Sequence, residues 1–257
     1  MTHPWFKRWF GEHYKRLYPH RDLREAEGQV LPLLRRLPVT STWRILDVGC
    51  GSGRHLEVFA ARGIPGALGA DLSLPLLRDA RARGLRVVRA DMRHLPYRPG
   101  GFDLVTSFFT SFGYFATIEE DVDTLAQFVS VLKPGGYLFL DLINSAHLIQ
   151  NLVPSDSRSM DGAVVEQKRR LEQAAGTSTG GAGTVVVKDI AISRPGEPVE
   201  RFEERVRLYT REDMHRLAAR FGLRDIAVYG DEAGGAYHAE SSPRMALLLQ
   251  LDPAARE

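Results

Sequence analysis

Three aspartates and three glycines are the residues of this chain whose spacing points most directly to chemistry. Asp47, Asp71 and Asp91 each close a short apolar stretch, in Ile45-Leu46-Asp47-Val48, Leu68-Gly69-Ala70-Asp71 and Val87-Val88-Arg89-Ala90-Asp91. Gly49, Gly51 and Gly53 follow the first of these, with Cys50 and Ser52 between them. Alternate glycines let the backbone bend sharply and bring its amide hydrogens close to a ligand. A helix predicted over 54–61 turns its positive end to the same spot, which favours an anionic group such as a carboxylate. Asp47 can accept hydrogen bonds from an ammonium group, and Asp71 is spaced to accept both hydroxyls of a ribose.

The dinucleotide pattern G-x-G-x-x-G needs its third glycine where Arg54 stands, and a pyrophosphate is repelled by Asp47. The stretch Arg44 to Gly53 resembles motif I of the class I S-adenosylmethionine-dependent methyltransferases, whose donor carries an amino acid group where a dinucleotide carries phosphates. The loop and strand of Lys133-Pro134-Gly135-Gly136-Tyr137-Leu138-Phe139-Leu140-Asp141 resemble the same family. The resemblance implies S-adenosyl-L-methionine as cofactor and S-adenosyl-L-homocysteine as product. It sets Asp47, Gly49, Cys50, Gly51 and Gly53 around the amino acid group, and Asp71 with Leu72 at the ribose. It also implies an adenine site in which Asp91 accepts from the exocyclic amine and the Met92 backbone amide meets a ring nitrogen. Ser107 and Phe108, at the end of the fourth strand, are expected to border donor and acceptor. The Asn/Asp-Pro-Pro-aromatic tetrad of many amino-group methyltransferases of DNA and protein glutamine is absent, which lowers that reading.

These residues need a scaffold that brings successive strand ends together. Continuous apolar runs alternating with helical segments predict a doubly wound α/β three-layer sandwich, with a mostly parallel seven-stranded sheet whose last strand runs antiparallel. The expected divisions are an N-terminal helical cap over 1–40, a Rossmann-like core over 41–144, an inserted antiparallel β meander over 145–209 and completion of the core over 210–257. Strands are predicted over 162–172, 183–193 and 199–209 of the meander, which serves as a lid of the acceptor site or as a homodimer interface. Thr210-Arg211-Glu212-Asp213 opens a helix with capping-box character. Trp5, Phe6, Trp9, Phe10, Tyr14, Leu17 and Tyr18 recur at helical intervals. They either pack an N-terminal helix on the core or cover the cofactor pocket, and in the second case Tyr14, Tyr18, His20 and Arg21 are the polar groups nearest an acceptor. Asp141 and Asn144 close the fifth strand, and Asp231, Tyr237, His238 and Arg244 lie in a loop expected on the same edge.

Composition narrows the function classes. The 257 residues are 44% hydrophobic and 26% charged, enough for one globular domain with elaborations. With 34 basic against 32 acidic side chains the formal charge is +2, which argues against a dedicated polyanion binder. The arginines from Arg78 to Arg98 read as a solvated helix face and strand ends. A lone Cys50 excludes an internal disulfide and fits a cytoplasmic protein, and no apolar run approaches the roughly 20 residues of a membrane span. The expected partner is a small molecule, with neither nucleic acid nor membrane. No metal is required for transfer from an activated sulfonium, and His55, His147 and His238 leave a general base unassigned. RNA or protein methylation, and cofactor binding without catalysis, are the competing classes.

Overall fold

The computed structural model describes residues 5–254 except 12, 13, 15, 16, 19, 20 and 175–182. Alternation along the central strands sorts side chains onto two apolar faces. Leu46 and Val48 of β1 (Ile45–Val48), Leu138, Leu140 and Leu142 of β5 (Leu132–Ile143), and Leu247 and Leu249 of β11 (Arg244–Leu251) belong to one buried cluster. Ile45, Phe139 and Leu248, one residue out of phase, belong to the other. A sheet that is apolar on both faces must be covered on both. The helices α5 (Ile118–Val131) and α7 (Arg211–Ala219) cover the first face, and α2 (Leu23–Arg35) and α3 (Arg54–Ala61) the second.

With β2 (Leu68–Asp71), β3 (Val87–Arg89), β4 (Phe102–Ser107) and β10 (Leu223–Tyr229), the sheet has the order β10-β11-β5-β4-β1-β2-β3. β1 pairs in parallel with both β2 and β4, and β11 is antiparallel to both β5 and β10. The chain therefore winds outwards in both directions from β1 and β4, and a crevice opens above their carboxyl ends. Helix starts are locally specified. Thr117 caps α5 in a capping box with Glu120, Thr210 caps α7 with Asp213, and the Asp22 carboxylate accepts from the Glu25 amide at 3.0 Å to start α2.

The inserted segment forms a second, antiparallel sheet of four strands: β6 (Ser155–Met160), β7 (Ala163–Gln173), β8 (Thr184–Ser193) and β9 (Glu200–Arg207). It has one strand more than expected. β6 is polar up to its last residue, Met160, and it forms because Asp161 (φ 49°) and Gly162 (φ 72°) make a two-residue hairpin turn onto β7. That Asp-Gly pair is the sequence signal that identifies it. Helices α4 (Leu74–Ala82) and the short α6 (Ser145–Gln150) complete the described elements, with α1 (Trp5–Trp9) at the N-terminus. Trp9 is fully buried among Val165, Ile190 and Ile192, its ring 5.1 Å from that of Phe202, so the aromatic N-terminal segment packs on the second sheet.

Candidate functional site

A cavity of about 540 Å³ lies above the carboxyl ends of β1, β2 and β4, within the roughly 300–1,000 Å³ that encloses a small ligand. Its floor is the glycine turn. Gly49 (φ 77°), Gly51 (φ 53°) and Gly53 (φ 86°) all hold the left-handed backbone that side chains disfavour. A Cβ at Gly49 would stand 2.6 Å from Ser111 Oγ, so only glycine lets the turn pass beneath that residue. The amides of Gly49 and Cys50 donate to the Ala70 carbonyl at 2.8 and 3.2 Å, tying the turn to β2.

Asp71 completes this floor. Its Oδ2 accepts from the Gly51 amide at 2.8 Å and its Oδ1 from the Ser73 amide at 2.7 Å. Each carboxylate oxygen keeps a second acceptor direction. Burial raises its pKa, and the two backbone donors oppose that shift. Asp91 stands just past the end of β3, where Arg93 grips it: Oδ1 accepts from Arg93 N and Nε at 3.0 Å each, and Oδ2 from Nη2 at 2.7 Å. Burial pushes this carboxyl up, but the bonds and charge of Arg93 together hold it below the usual carboxylate range. Oδ2 retains one open acceptor direction at the cavity lip.

Of the residues expected at the site, Gly49, Cys50, Gly51, Asp71, Leu72, Asp91, Met92 and Phe108 line this cavity together. Asp47, Gly53 and Ser107 do not line it. Asp47 lies on the α2 and α3 face of β1 and is 1% exposed, so its carboxylate turns beneath the floor rather than into the cavity. There it accepts from Thr106 Oγ1 at 2.9 Å, and its Oδ2 is buried without a hydrogen bond. His55 Nδ1 faces that oxygen at 3.7 Å, beyond hydrogen-bonding distance. Gly53 instead caps the start of α3, where a Cβ would meet Leu85 Cδ1 at 2.6 Å.

His55 also lines the cavity, but its Nε2 is engaged by Gln29 Oε1 at 2.7 Å and its ring stacks on Phe108 with centroids 4.0 Å apart. Burial lowers its pKa, which favours the neutral ring. Its geometry is that of a structural histidine. Neither His147 nor His238 is among the lining residues, and the same is true of Asp141, Asn144, Asp231, Tyr237 and Arg244. Asn144 Nδ2 instead binds the Ala239 and Ser242 carbonyls at 2.8 Å each, holding the 230–243 loop. Tyr14, Tyr18 and Arg21 do line the cavity, while His20 lies outside the described residues.

The other half of the wall is aromatic: Phe6, Phe10, Tyr14 and Tyr18 from the N-terminal segment, and Phe109, Tyr114 and Phe115 from the loop after β4. Phe109 (φ 57°) and Thr110 (φ 59°) are both left-handed, a strained conformation for an aromatic and a β-branched residue. Asp141 holds it. Its Oδ2 accepts from the Phe109 amide at 2.9 Å, and its carbonyl from the Thr110 amide at 2.9 Å. Arg244 Nε donates to Asp141 Oδ1 and its Nη2 to Thr110 Oγ1, each at 2.8 Å. The far end of the loop is fixed by a second buried pair, in which Arg207 Nε donates to Asp121 Oδ2 at 3.0 Å and Arg207 Nη2 to the Ala116 carbonyl at 3.0 Å. The helical spacing of the N-terminal aromatics is the sequence signal for one part of this wall and the density of phenylalanine and tyrosine after β4 for the other; the two clamps join residues 86 to 103 positions apart.

The residues fit the donor that the motif implies. The cradle has glycine where a Cβ would collide with the loop above it, and a half-buried carboxylate with acceptor capacity lies where a diol would rest. Comparison with known proteins agrees. Residues 45–136 match the model of a methyltransferase domain. The chain is 35% identical over 96 residues to the probable tRNA methyltransferase 9B of Bos taurus, a match covering 37% of this chain and 20% of that protein. It is 35% identical over 125 residues to a dTDP-3-amino-3,4,6-trideoxy-alpha-D-glucopyranose N,N-dimethyltransferase of Streptomyces venezuelae, covering 47% of this chain and 51% of that one. The matches thus span from a fifth to about half of these relatives. Among solved structures, S-adenosylmethionine-bound CalS10, an amino pentose methyltransferase from Micromonospora echinaspora, superposes with a TM-score of 0.64 at 25% identity, covering 92% of this chain and 95% of that one. Strand order and glycine cradle agree with that domain match, and the fold is that of the class I S-adenosylmethionine-dependent methyltransferases.

Proposed function

We propose that the protein transfers the methyl group of S-adenosylmethionine to a small-molecule oxygen or nitrogen acceptor. The observation that carries this reading is the continuity of one cavity from the glycine floor to the aromatic wall, closed by the N-terminal segment and the loop after β4. When bound, the donor supplies a methyl group already activated on a sulfonium, so the protein must chiefly align the partners and exclude water. In this reading Asp71 binds the ribose hydroxyls and Asp91 with the Met92 amide holds the adenine. The amides of the glycine turn and the start of α3 face the amino acid group. Phe108 and Phe109 separate donor from acceptor, and the rings of Phe10, Tyr14, Tyr18 and Tyr114 hold the acceptor in line with the methyl group. Asp47, behind the floor, keeps β1 and β4 in register through Thr106.

A second reading, RNA as acceptor, draws support from exposed Arg78 and Arg81 on α4, exposed Arg86 just before β3, and Arg89 at the cavity rim. Two measurements test these readings. Isotope from labelled S-adenosylmethionine is expected to enter a low-molecular-weight fraction of a metabolite extract. Incorporation only into RNA, with binding that weakens steeply with salt, would overturn the small-molecule reading. Calorimetry is expected to register binding of S-adenosylhomocysteine and no binding of a nicotinamide dinucleotide.

A further inference from the structure

One corner of the aromatic half carries more positive than negative charge. Tyr18 lines the cavity, and three cations face its ring: the Arg21 guanidinium 4.2 Å from the centroid, that of Arg158 at 5.5 Å and the Lys188 ammonium at 5.8 Å. Lys188 Nζ also donates to the Tyr18 hydroxyl at 3.2 Å. Lys188 on β8 stands directly opposite Glu204 on β9 and pairs with it, on the sheet face whose Ile190 and Ile192 pack against Trp9. Arg158 on β6 donates from Nη2 to the Leu17 carbonyl at 2.8 Å, its Nε is buried without a hydrogen bond, and among the described residues it has no carboxylate partner. Glu204 is therefore one carboxylate among three cations; Glu25 also acts on Arg21 but is paired with Arg54. The cations keep their charge. Burial pulls Arg21 down to about 10, with Arg54 adding to that fall and Tyr114, Glu204 and Glu25 opposing it. Burial also lowers Lys188, but Glu204 and Tyr18 outweigh it and the pKa rises.

Such a corner favours a ligand atom that takes on negative charge over one that stays neutral or is positive. An aliphatic amine, protonated at neutral pH, meets the three cations as repulsion. The rest of this half offers flat apolar contact from Phe6, Phe10, Phe109 and Phe115, and no asparagine, glutamine or glutamate is among the described lining residues to hold the hydroxyls of a sugar. We infer that the acceptor is a planar hydroxyaromatic compound, a phenol, methylated on its oxygen with that oxygen in the Tyr18 corner. This acceptor rests on the methyl-transfer reading, and it needs no protein base. The positive surroundings favour the ionised acceptor, whose proton passes to solvent water. The phenolate oxygen then attacks the methyl carbon; the O–C bond forms as the C–S bond breaks, and sulfur keeps the electron pair. Tyr18 touches the acceptor, whereas Lys188, Arg158 and Glu204 act from behind it as positioning residues.

The test uses 4-nitrophenol, whose phenolate is yellow and whose neutral form is not. It is titrated into the full chain, with and without saturating S-adenosylhomocysteine, in buffer held below the pKa of the free phenol. The bound probe is expected to be yellow and not to be displaced by cyclohexylamine. Two variants change the corner in opposite directions. Arg158→Gln removes a cation and should weaken phenolate binding about tenfold, whereas Glu204→Gln removes the opposing charge and should strengthen it by a similar factor. Damaged packing alone would weaken both. A probe that does not bind, or binds without colour, would overturn the assignment, as would displacement by cyclohexylamine or a shift of the same sign in both variants. So would isotope passing from labelled S-adenosylmethionine to an amine rather than a phenol of the metabolite extract. If S-adenosylhomocysteine itself does not bind, it is the methyl-transfer reading that fails, and the colour of the probe in its absence still decides the charge of the corner. Should thermal melts show Arg158→Gln unfolded, Glu204→Gln decides alone, because its amide keeps the shape of the carboxylate and only the charge is lost.

Discussion

The two halves of the cavity are built by different means. The glycine floor is local: Asp71 reaches Gly51 and Ser73 through backbone amides, and the turn is tied to the adjacent strand by the Ala70 carbonyl. The aromatic wall is assembled at long range. Phe10, Tyr14 and Tyr18 reach it by packing on the second sheet, and its loop is clamped at one end by Asp141 with Arg244 and at the other by Asp121 with Arg207. A floor made of main chain needs no side-chain ordering before a ligand arrives. The wall depends on buried charges that must each keep a partner. Damage to the floor should therefore be read in ligand affinity, and damage to the wall in stability.

The largest effect is expected at the wall. Asp121→Ala removes the carboxylate of a buried pair with Arg207, whose side chain is 1% exposed, and breaking such a pair costs about 3–5 kcal/mol. A denaturant titration should register that loss, while the folded fraction binds S-adenosylhomocysteine within about threefold of the parent, a difference below about 0.7 kcal/mol. A large drop in affinity would show that the two halves are coupled. At the floor, Asp71→Ala removes the acceptor of two backbone amides and the proposed ribose ligand. About 3 kcal/mol of binding, close to a hundredfold in Kd, should disappear by calorimetry, with a smaller loss of stability than in Asp121→Ala. Unchanged affinity would remove Asp71 from the donor site.

The same wall carries a pH signature. Burial raises the Asp121 carboxyl to about 6, against the bonds of Tyr209 and Arg207, with Glu120 adding to the rise; its Oδ1 is buried with no donor. The native state therefore holds a proton between about pH 4 and pH 6 that the unfolded chain has released. Stability from this group is present below the unfolded value and is lost as pH rises through the folded one, by up to about 2–3 kcal/mol. Asp22, Asp91 and Glu172, whose pKa values are lowered, act in the opposite sense. The measurement is accordingly a difference: the stability of the parent minus that of Asp121→Asn should fall from pH 4 to pH 7. A flat difference would make Asp121 an ordinary ionised partner of Arg207.

How much of each half was legible in the sequence follows from this contrast. Cys50, Leu72 and Met92 were readable as floor residues because each sits one step from a motif glycine or a strand-end aspartate, and sequence distance there is a fair guide to spatial distance. Asp47 marks the limit of that logic. It occupies the expected strand, but a strand's two-residue period also decides which face a carboxylate takes, and Asp47 shares its face with Ile45 and the buried helices. On the wall, Tyr14, Tyr18 and Arg21 were within reach of reading because aromatic spacing predicted a packed helix. The pairing of Arg244 with Asp141 was not, since the closeness of their strands follows from antiparallel insertion of β11 between β5 and β10.

The smallest prediction separates strain from clamp at the loop that joins the halves. Thr110 holds a left-handed backbone that a β-branched residue resists, at a cost of about 1–3 kcal/mol, while its hydroxyl accepts from Arg244. Asparagine tolerates that backbone and keeps a side-chain acceptor, so Thr110→Asn should raise stability by about 0.5–1 kcal/mol. Thr110→Val keeps the β-branch and the strain but deletes the acceptor, and should lower stability by about 1–2 kcal/mol. Both values are read from denaturant midpoints at constant slope. If both variants are destabilised alike, the strain is relieved by the surrounding packing and the Arg244 bond alone sets the loop. If Thr110→Asn is stabilised yet S-adenosylhomocysteine binding weakens, the left-handed pair serves the ligand at the expense of the fold, and floor and wall meet at Thr110 rather than standing apart.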